Sequence, residues 1–132
     1  MRQLPLEISP PPAPSLDNFV AGANAEALAA VRALAAGSLR EPIVYLWGER
    51  GSGRSHLLRA AAGANPGLVV ADDVETLDAP AQQALFNAIN AAREGRGAVL
   101  AAGGAPPAGL AQREDLRSRL GWGLVYQLRA PA

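Results

Sequence analysis

Eight residues, Gly48-Glu49-Arg50-Gly51-Ser52-Gly53-Arg54-Ser55, set three glycines between an apolar run and the start of an amphipathic one. Glycine tolerates the backbone angles that turn successive N–H groups inward around an anion, and a helix opening near Ser55 aims its positive dipole end at the same point. The chemistry this suits is phosphate binding. The spacing G-x-x-x-x-G-K-S/T is met everywhere except at Arg54, where a planar, five-donor guanidinium stands in place of a compact ammonium. A nucleotide phosphate is therefore the expected ligand of Gly48, Gly51, Ser52, Gly53, Arg54 and Ser55, while the arginine argues against hydrolysis at this loop. The alternative is a glycine-rich turn that holds no ligand.

A second chemical feature follows downstream. Leu68-Val69-Val70-Ala71 reads as a buried strand, and it ends in Asp72-Asp73. Beyond a phosphate loop, one carboxylate of such a pair can hold Mg²⁺ or its water together with Ser55, and the next can polarise a nucleophilic water. Asp72 is the expected metal ligand and Asp73 the expected catalytic carboxylate; the plain alternative is a solvated strand end. Toward the C-terminus, Asp115-Leu116-Arg117-Ser118-Arg119-Leu120-Gly121-Trp122-Gly123 sets two arginines in an apolar frame, and taken alone these are surface charges. His56 has no second histidine and no cysteine to share a metal with. Trp47 and Trp122 read as packing residues rather than base-stacking platforms.

The elements that must position these groups alternate. Asn24 is placed to cap a helix over residues 25–36, with Leu28, Val31, Leu34 and Ala35 inward and Gly37 past its end. Ile43 to Trp47 forms a strand leading into the glycine loop, and a short helix runs from Arg54 to about Ala62. After the Asn65-Pro66-Gly67 turn come the strand ending at Asp72 and a helix capped by Asp78 and closed by Gly95, with apolar residues at helical spacing from Ala81 to Ala92. Val99–Ala102 is the third strand, residues 110–120 a further helix and Leu124–Leu128 the fourth strand. Alternation of this kind predicts a parallel, doubly wound sheet with ligands beyond the carboxyl ends of the strands. Residues 1–18, with Pro10 to Pro12 and Pro14, read as an extended arm before a core over 19–132.

Composition sets limits. The chain has 132 residues, 49% of them apolar, enough for one core if the alanines pack tightly. All twelve basic residues are arginine and twelve acidic residues balance them, so no charge excess favours nonspecific nucleic-acid or membrane attachment. There is no cysteine, hence no disulfide framework. Neither a spanning apolar run nor a signal peptide is evident, and a soluble cytoplasmic protein is expected.

Three ordered motifs carry a resemblance. Asp17-Asn18-Phe19-Val20-Ala21-Gly22-Ala23-Asn24, Gly51-Ser52-Gly53-Arg54-Ser55-His56-Leu57-Leu58 and Leu116 to Gly123 resemble the D-N-F-V-x-G-x-N, G-x-G-K/R-S/T-H-L-L and L-x-S-R-F/L-x-W-G signatures of the DnaA branch of the AAA+ ATPases. The resemblance implies a P-loop NTPase (AAA+) fold, a three-layer α/β/α sandwich around a parallel sheet of about four strands. It implies ADP or ATP with Mg²⁺ as cofactors, His56 and Val20 beside the nucleotide, and Arg119 as an arginine finger. Phe19 and Val20 fit the adenine side of the pocket or the core equally well.

Regulatory members of that branch share the arginine in the loop and an N-terminal Q-L-x-L hexapeptide that docks on the DNA polymerase sliding clamp. Gln3-Leu4-Pro5-Leu6-Glu7-Ile8 matches it, with Leu4, Leu6 and Ile8 as apolar anchors and Gln3 as the polar one. The function implied is regulation of replication initiation: the chain binds nucleotide and clamp, and presents Arg119 in trans to the ATP held by the DnaA initiator. Direct sequence-specific DNA binding is not expected. The family's strand and helix between loop helix and acidic strand are missing, as is a helical lid after the last strand, and Gly104 stands where relatives offer a polar sensor. A strand order of 5-1-4-3, in the family's numbering, can persist because the missing strand lies at an edge. An activator of another protein's active site is therefore expected rather than an ATPase. The alternatives are a small autonomous P-loop ATPase or nucleotide kinase, and a nonfunctional remnant.

Overall fold

The computed structural model describes residue 16, residues 24–49 and residues 51–130. The clamp hexapeptide, the boundary at residue 18, Phe19, Val20 and Arg50 lie outside the described residues.

Helix α1 (Ala25–Ala36) is built from alanine and leucine and ends where Gly37 turns left-handed at φ 74°, returning its N–H to the last turn. Asn24 does not cap it. The side-chain amide instead pairs with both backbone groups of Arg129, accepting from its N–H and donating to its carbonyl at 2.8 Å each. The reason is topological: Arg129 follows an edge strand and has no further strand to complete its hydrogen bonds.

Four parallel strands follow: β1 (Ile43–Trp47), β2 (Val69–Ala71), β3 (Val99–Gly103) and β4 (Leu124–Gln127), arranged β2-β3-β1-β4. This is the order expected for a sheet missing one edge strand. Their period of two divides the core. Val44, Leu46, Leu100 and Ala102 face α1 and α2 (Arg54–Ala64), while Ile43, Tyr45, Val99 and Ala101 face α3 (Ala79–Arg93) and α4 (Glu114–Leu120). The result is the three-layer α/β/α arrangement.

Asp78 caps α3 as expected, its Oδ1 accepting from the Ala81 N–H at 3.0 Å. The helix expected over 110–120 is shorter. A 3₁₀ turn spans Pro107–Gly109, and α4 begins only at Glu114. The intervening chain is held by Gln112, whose Nε2 donates to the carbonyls of Val74 (2.7 Å) and Leu77 (3.3 Å), a tie to a distant loop that local periodicity does not reveal. Among the described residues no helix is long and apolar enough to cross a membrane.

Candidate functional site

The phosphate-type loop leaves the carboxyl end of β1, and the structure brings to it the end of β2 that sequence spacing expected. Gly48 extends the sheet, donating to the Gly103 carbonyl at 3.2 Å, and a Cβ there would press on the Leu128 carbonyl and Ser52. Gly51 and Gly53 take φ of 83° and 101°, angles that L side chains rarely adopt, so these two glycines are required by the turn itself. Gly53 then opens α2. Beside the loop lies a cleft of about 370 Å³ lined by Glu49, Gly51, Gly53, Arg54, Ser55, His56 and Asp73. That volume suits a small ligand. Ser52 is not among the lining residues; it is buried beneath the turn.

Arg54 lines the cleft but turns its guanidinium toward Gly48 and the acidic end of β2. Its side chain is buried, Nη1 donates to the Gly48 carbonyl at 3.0 Å, Nη2 bonds the Asp73 carboxylate, and Nε lies 3.6 Å from Asp72. Ser55 Oγ donates to the other oxygen of Asp72 at 2.6 Å. Ser55 and Asp72, the expected metal pair, thus meet, but as donor and acceptor of one hydrogen bond, with the other Asp72 oxygen facing Arg54. Asp73 is also the single described non-glycine residue at positive φ (48°), a conformation its neighbours over-determine: its N–H donates to Asp72, and its carbonyl accepts from the N–H and the hydroxyl of Thr76. Mg²⁺ needs near-octahedral oxygen ligands at about 2.0–2.1 Å. The donor set as arranged does not fit it, and among the described residues no cluster of three acidic, histidine or cysteine side chains could hold a metal.

Sequence reasoning passed over Glu75. From the turn after Asp73 its carboxylate reaches the β3 loop, accepting from the Gly104 N–H at 3.3 Å, so Gly104, which has no side chain of its own, is faced by a carboxylate from another element. Its offset of two residues from Asp73 was the available signal. Tyr45, buried below, donates to the Ala105 carbonyl at 2.7 Å. Burial, then Glu75, push the phenol's pKa up, partly offset by Arg54, so Tyr45 serves as a neutral strut.

Arg119 lies elsewhere. α3 and α4 each return the chain to the amino ends of the strands, and Gly123, just past α4, packs against Ile43 at the start of β1. The guanidinium sits between two rings, 4.1 Å from the centroid of Trp122 and 4.8 Å from that of Phe86, and Nε donates to Asn90 Oδ1 at 2.9 Å. Among the described residues, nothing bonds its two terminal amino groups. The guanidinium is thus held by side chains of its own subunit, with two terminal donor groups left over. Trp122, expected as a packing residue, is 42% exposed and carries arginines on its ring: Arg93 lies near it as well, at 5.1 Å. Asp115, beside this patch, has its carboxyl pKa lowered chiefly by the hydrogen bond from Arg113.

No family model matches the chain. A curated relative, an uncharacterized protein of Haemophilus influenzae, is 28% identical over 161 residues, covering 98% of this chain and 69% of that one. Among solved structures, the replication initiator DnaA bound to AMPPCP and single-stranded DNA superimposes with a TM-score of 0.79 at 22% identity, over 92% of this chain and 51% of that one. Domain III of DnaA from Thermotoga maritima gives 0.77 at 22%, over 94% and 70%. The chain therefore has the fold of the AAA+ domain of DnaA, and spans about half the length of the first of these structures.

Proposed function

We propose that this protein is a DnaA-like regulator of replication initiation, similar to the regulatory inactivator Hda: it binds ADP or ATP at residues 48–55, tethers to the sliding clamp through Gln3, Leu4, Leu6 and Ile8, and promotes ATP hydrolysis by DnaA through Arg119. The observation that carries this reading is the state of Arg119. A finger acting in trans must lie away from its own nucleotide loop and hold its guanidinium in place before the partner arrives. Arg119 meets both conditions: it sits at the amino ends of the strands, stacked and tethered through Nε, with its terminal amino groups unspent. Those groups can stabilise charge developing on the γ-phosphoryl oxygens of a neighbour's ATP. Nucleotide binding by this chain is supported by the loop geometry and by the bound AMPPCP of the DnaA structure that shares its fold. A catalytic role for Asp73 has no such support, since Arg54 holds its carboxylate.

The test is phosphate release measured with the protein alone, with DNA-loaded clamp, and with clamp plus ATP-bound DnaA. Hydrolysis confined to the full mixture, and absent with Arg119→Ala, is the expected result. Turnover by the protein alone would replace this reading with an autonomous ATPase, and silence throughout would leave a remnant.

A further inference from the structure

The geometry points to a phosphate loop that takes a nucleoside diphosphate or triphosphate without a divalent cation, with Arg54 supplying the counter-charge that a metal would bring to Asp72 and Asp73. This rests on the nucleotide reading above and concerns what that site demands of its ligand.

One oxygen of Asp72 accepts from Ser55 Oγ at 2.6 Å; the other accepts from the Asp73 N–H at 2.8 Å and faces Arg54 Nε at 3.6 Å. One oxygen of Asp73 is bonded to Arg54 Nη2. A Mg²⁺ ion bonded directly to both Ser55 Oγ and Asp72 would have to displace the short hydrogen bond between them. It would also stand beside a guanidinium that is always charged and largely shielded from water, where repulsion is weakly screened. A lysine ammonium, a compact point charge, lacks the planar fork by which Arg54 bonds the Gly48 carbonyl through one terminal nitrogen and a carboxylate through the other.

What remains for an anion is metal-free. Among the described residues nothing accepts from the N–H groups of Gly51 or Gly53. Those groups, the opening turn of the 11-residue helix α2 and the cleft beside them form a cradle of N–H donors for phosphate oxygens.

The experiment is calorimetric titration of the full chain with ADP and with ATP, each in EDTA and in excess Mg²⁺, together with Mn²⁺ alone followed by electron paramagnetic resonance. Dissociation constants that agree within about threefold between the two buffers, and no Mn²⁺ binding, are expected. Tightening by Mg²⁺ of about tenfold or more, or a bound Mn²⁺ signal, overturns the inference while leaving nucleotide binding intact. Absence of binding in every arm overturns the nucleotide reading and this inference with it. Arg54→Lys, checked for folding by circular dichroism, should acquire the Mg²⁺ dependence that the parent chain lacks. A folded variant with unchanged metal response also counts against the assignment, and the parent titrations stand without it.

Discussion

Two arginines, Arg54 and Arg119, occupy opposite ends of the same sheet, and their surroundings differ in kind. Arg54 is buried among acceptors: a carbonyl and two carboxylates take up the guanidinium at close range. Arg119 is held mainly by faces, two aromatic rings and one amide oxygen, which orient the plane without consuming the terminal donors. Hydrogen-bond acceptors neutralise a guanidinium, whereas ring faces constrain it and leave its edge available. The arginine of the glycine loop is thus spent internally. The one that reads alone as a surface charge keeps its terminal amino groups unbonded among the described residues.

The largest expected effect breaks the Arg119 side of this contrast. Arg119→Ala should lower DnaA-dependent phosphate release by about 10³-fold or more, the scale of arginine fingers. The melting temperature should fall only slightly, since exposed stacking contacts of this type contribute roughly 0.5–1 kcal/mol each. Unaltered stimulation would make Arg119 a structural residue.

Gly123→Ala attacks the same patch from behind. A methyl group there collides with the Ile43 carbonyl and side chain, so the turn carrying Trp122 must move off the sheet. Destabilisation of about 2–3 kcal/mol in urea unfolding is expected, on the scale of overpacking. DnaA stimulation should fall with it if Trp122 orients Arg119.

At the other end, Arg54→Ala leaves Asp72 and Asp73 side by side without their cation. The loss should be about 2 kcal/mol, below the 3–5 of a fully buried pair because the Asp73 side chain is 54% exposed. Denaturant unfolding measures it, and a neutral outcome would mean the acidic pair does not depend on Arg54.

The smallest effect is a titration. Arg113 holds the Asp115 carboxyl below the ordinary carboxylate range, so its favourable contact is complete at neutral pH and is lost only as pH falls through that lowered value. Carbon-detected NMR should show Asp115 titrating low in the parent chain and moving back up in Arg113→Ala. An unchanged midpoint would remove Arg113 as the cause.

Much of the fold was legible. The bounds of α1 and β1, the cap at Asp78 and the left-handed closure at Gly37 follow from periodicity and terminal residues, all properties of near neighbours. The strand order was anticipated from the family resemblance, because the strand missing from it lies at an edge. The helix before β4 was read too long because Gln112 is tied to Val74, 38 residues away, and nothing local records that bond. In the site, Ser55 and Asp72 do lie together, as a hydrogen-bonded pair, while Glu75 was missed because its contact is to a loop 29 residues downstream.

By itself, the amino-acid sequence determined where glycine must turn the chain, which runs become strands, and which charged side chains arrive at each end of the sheet. The tertiary structure alone decided how those charges are used. Backbone conformation is set by sterics within a few residues, but a long side chain chooses among acceptors brought close by folding. Hence Asn24 serves Arg129 across 105 positions instead of its own helix, Arg54 turns to Asp73 across 19, and Arg119 settles on Asn90 across 29.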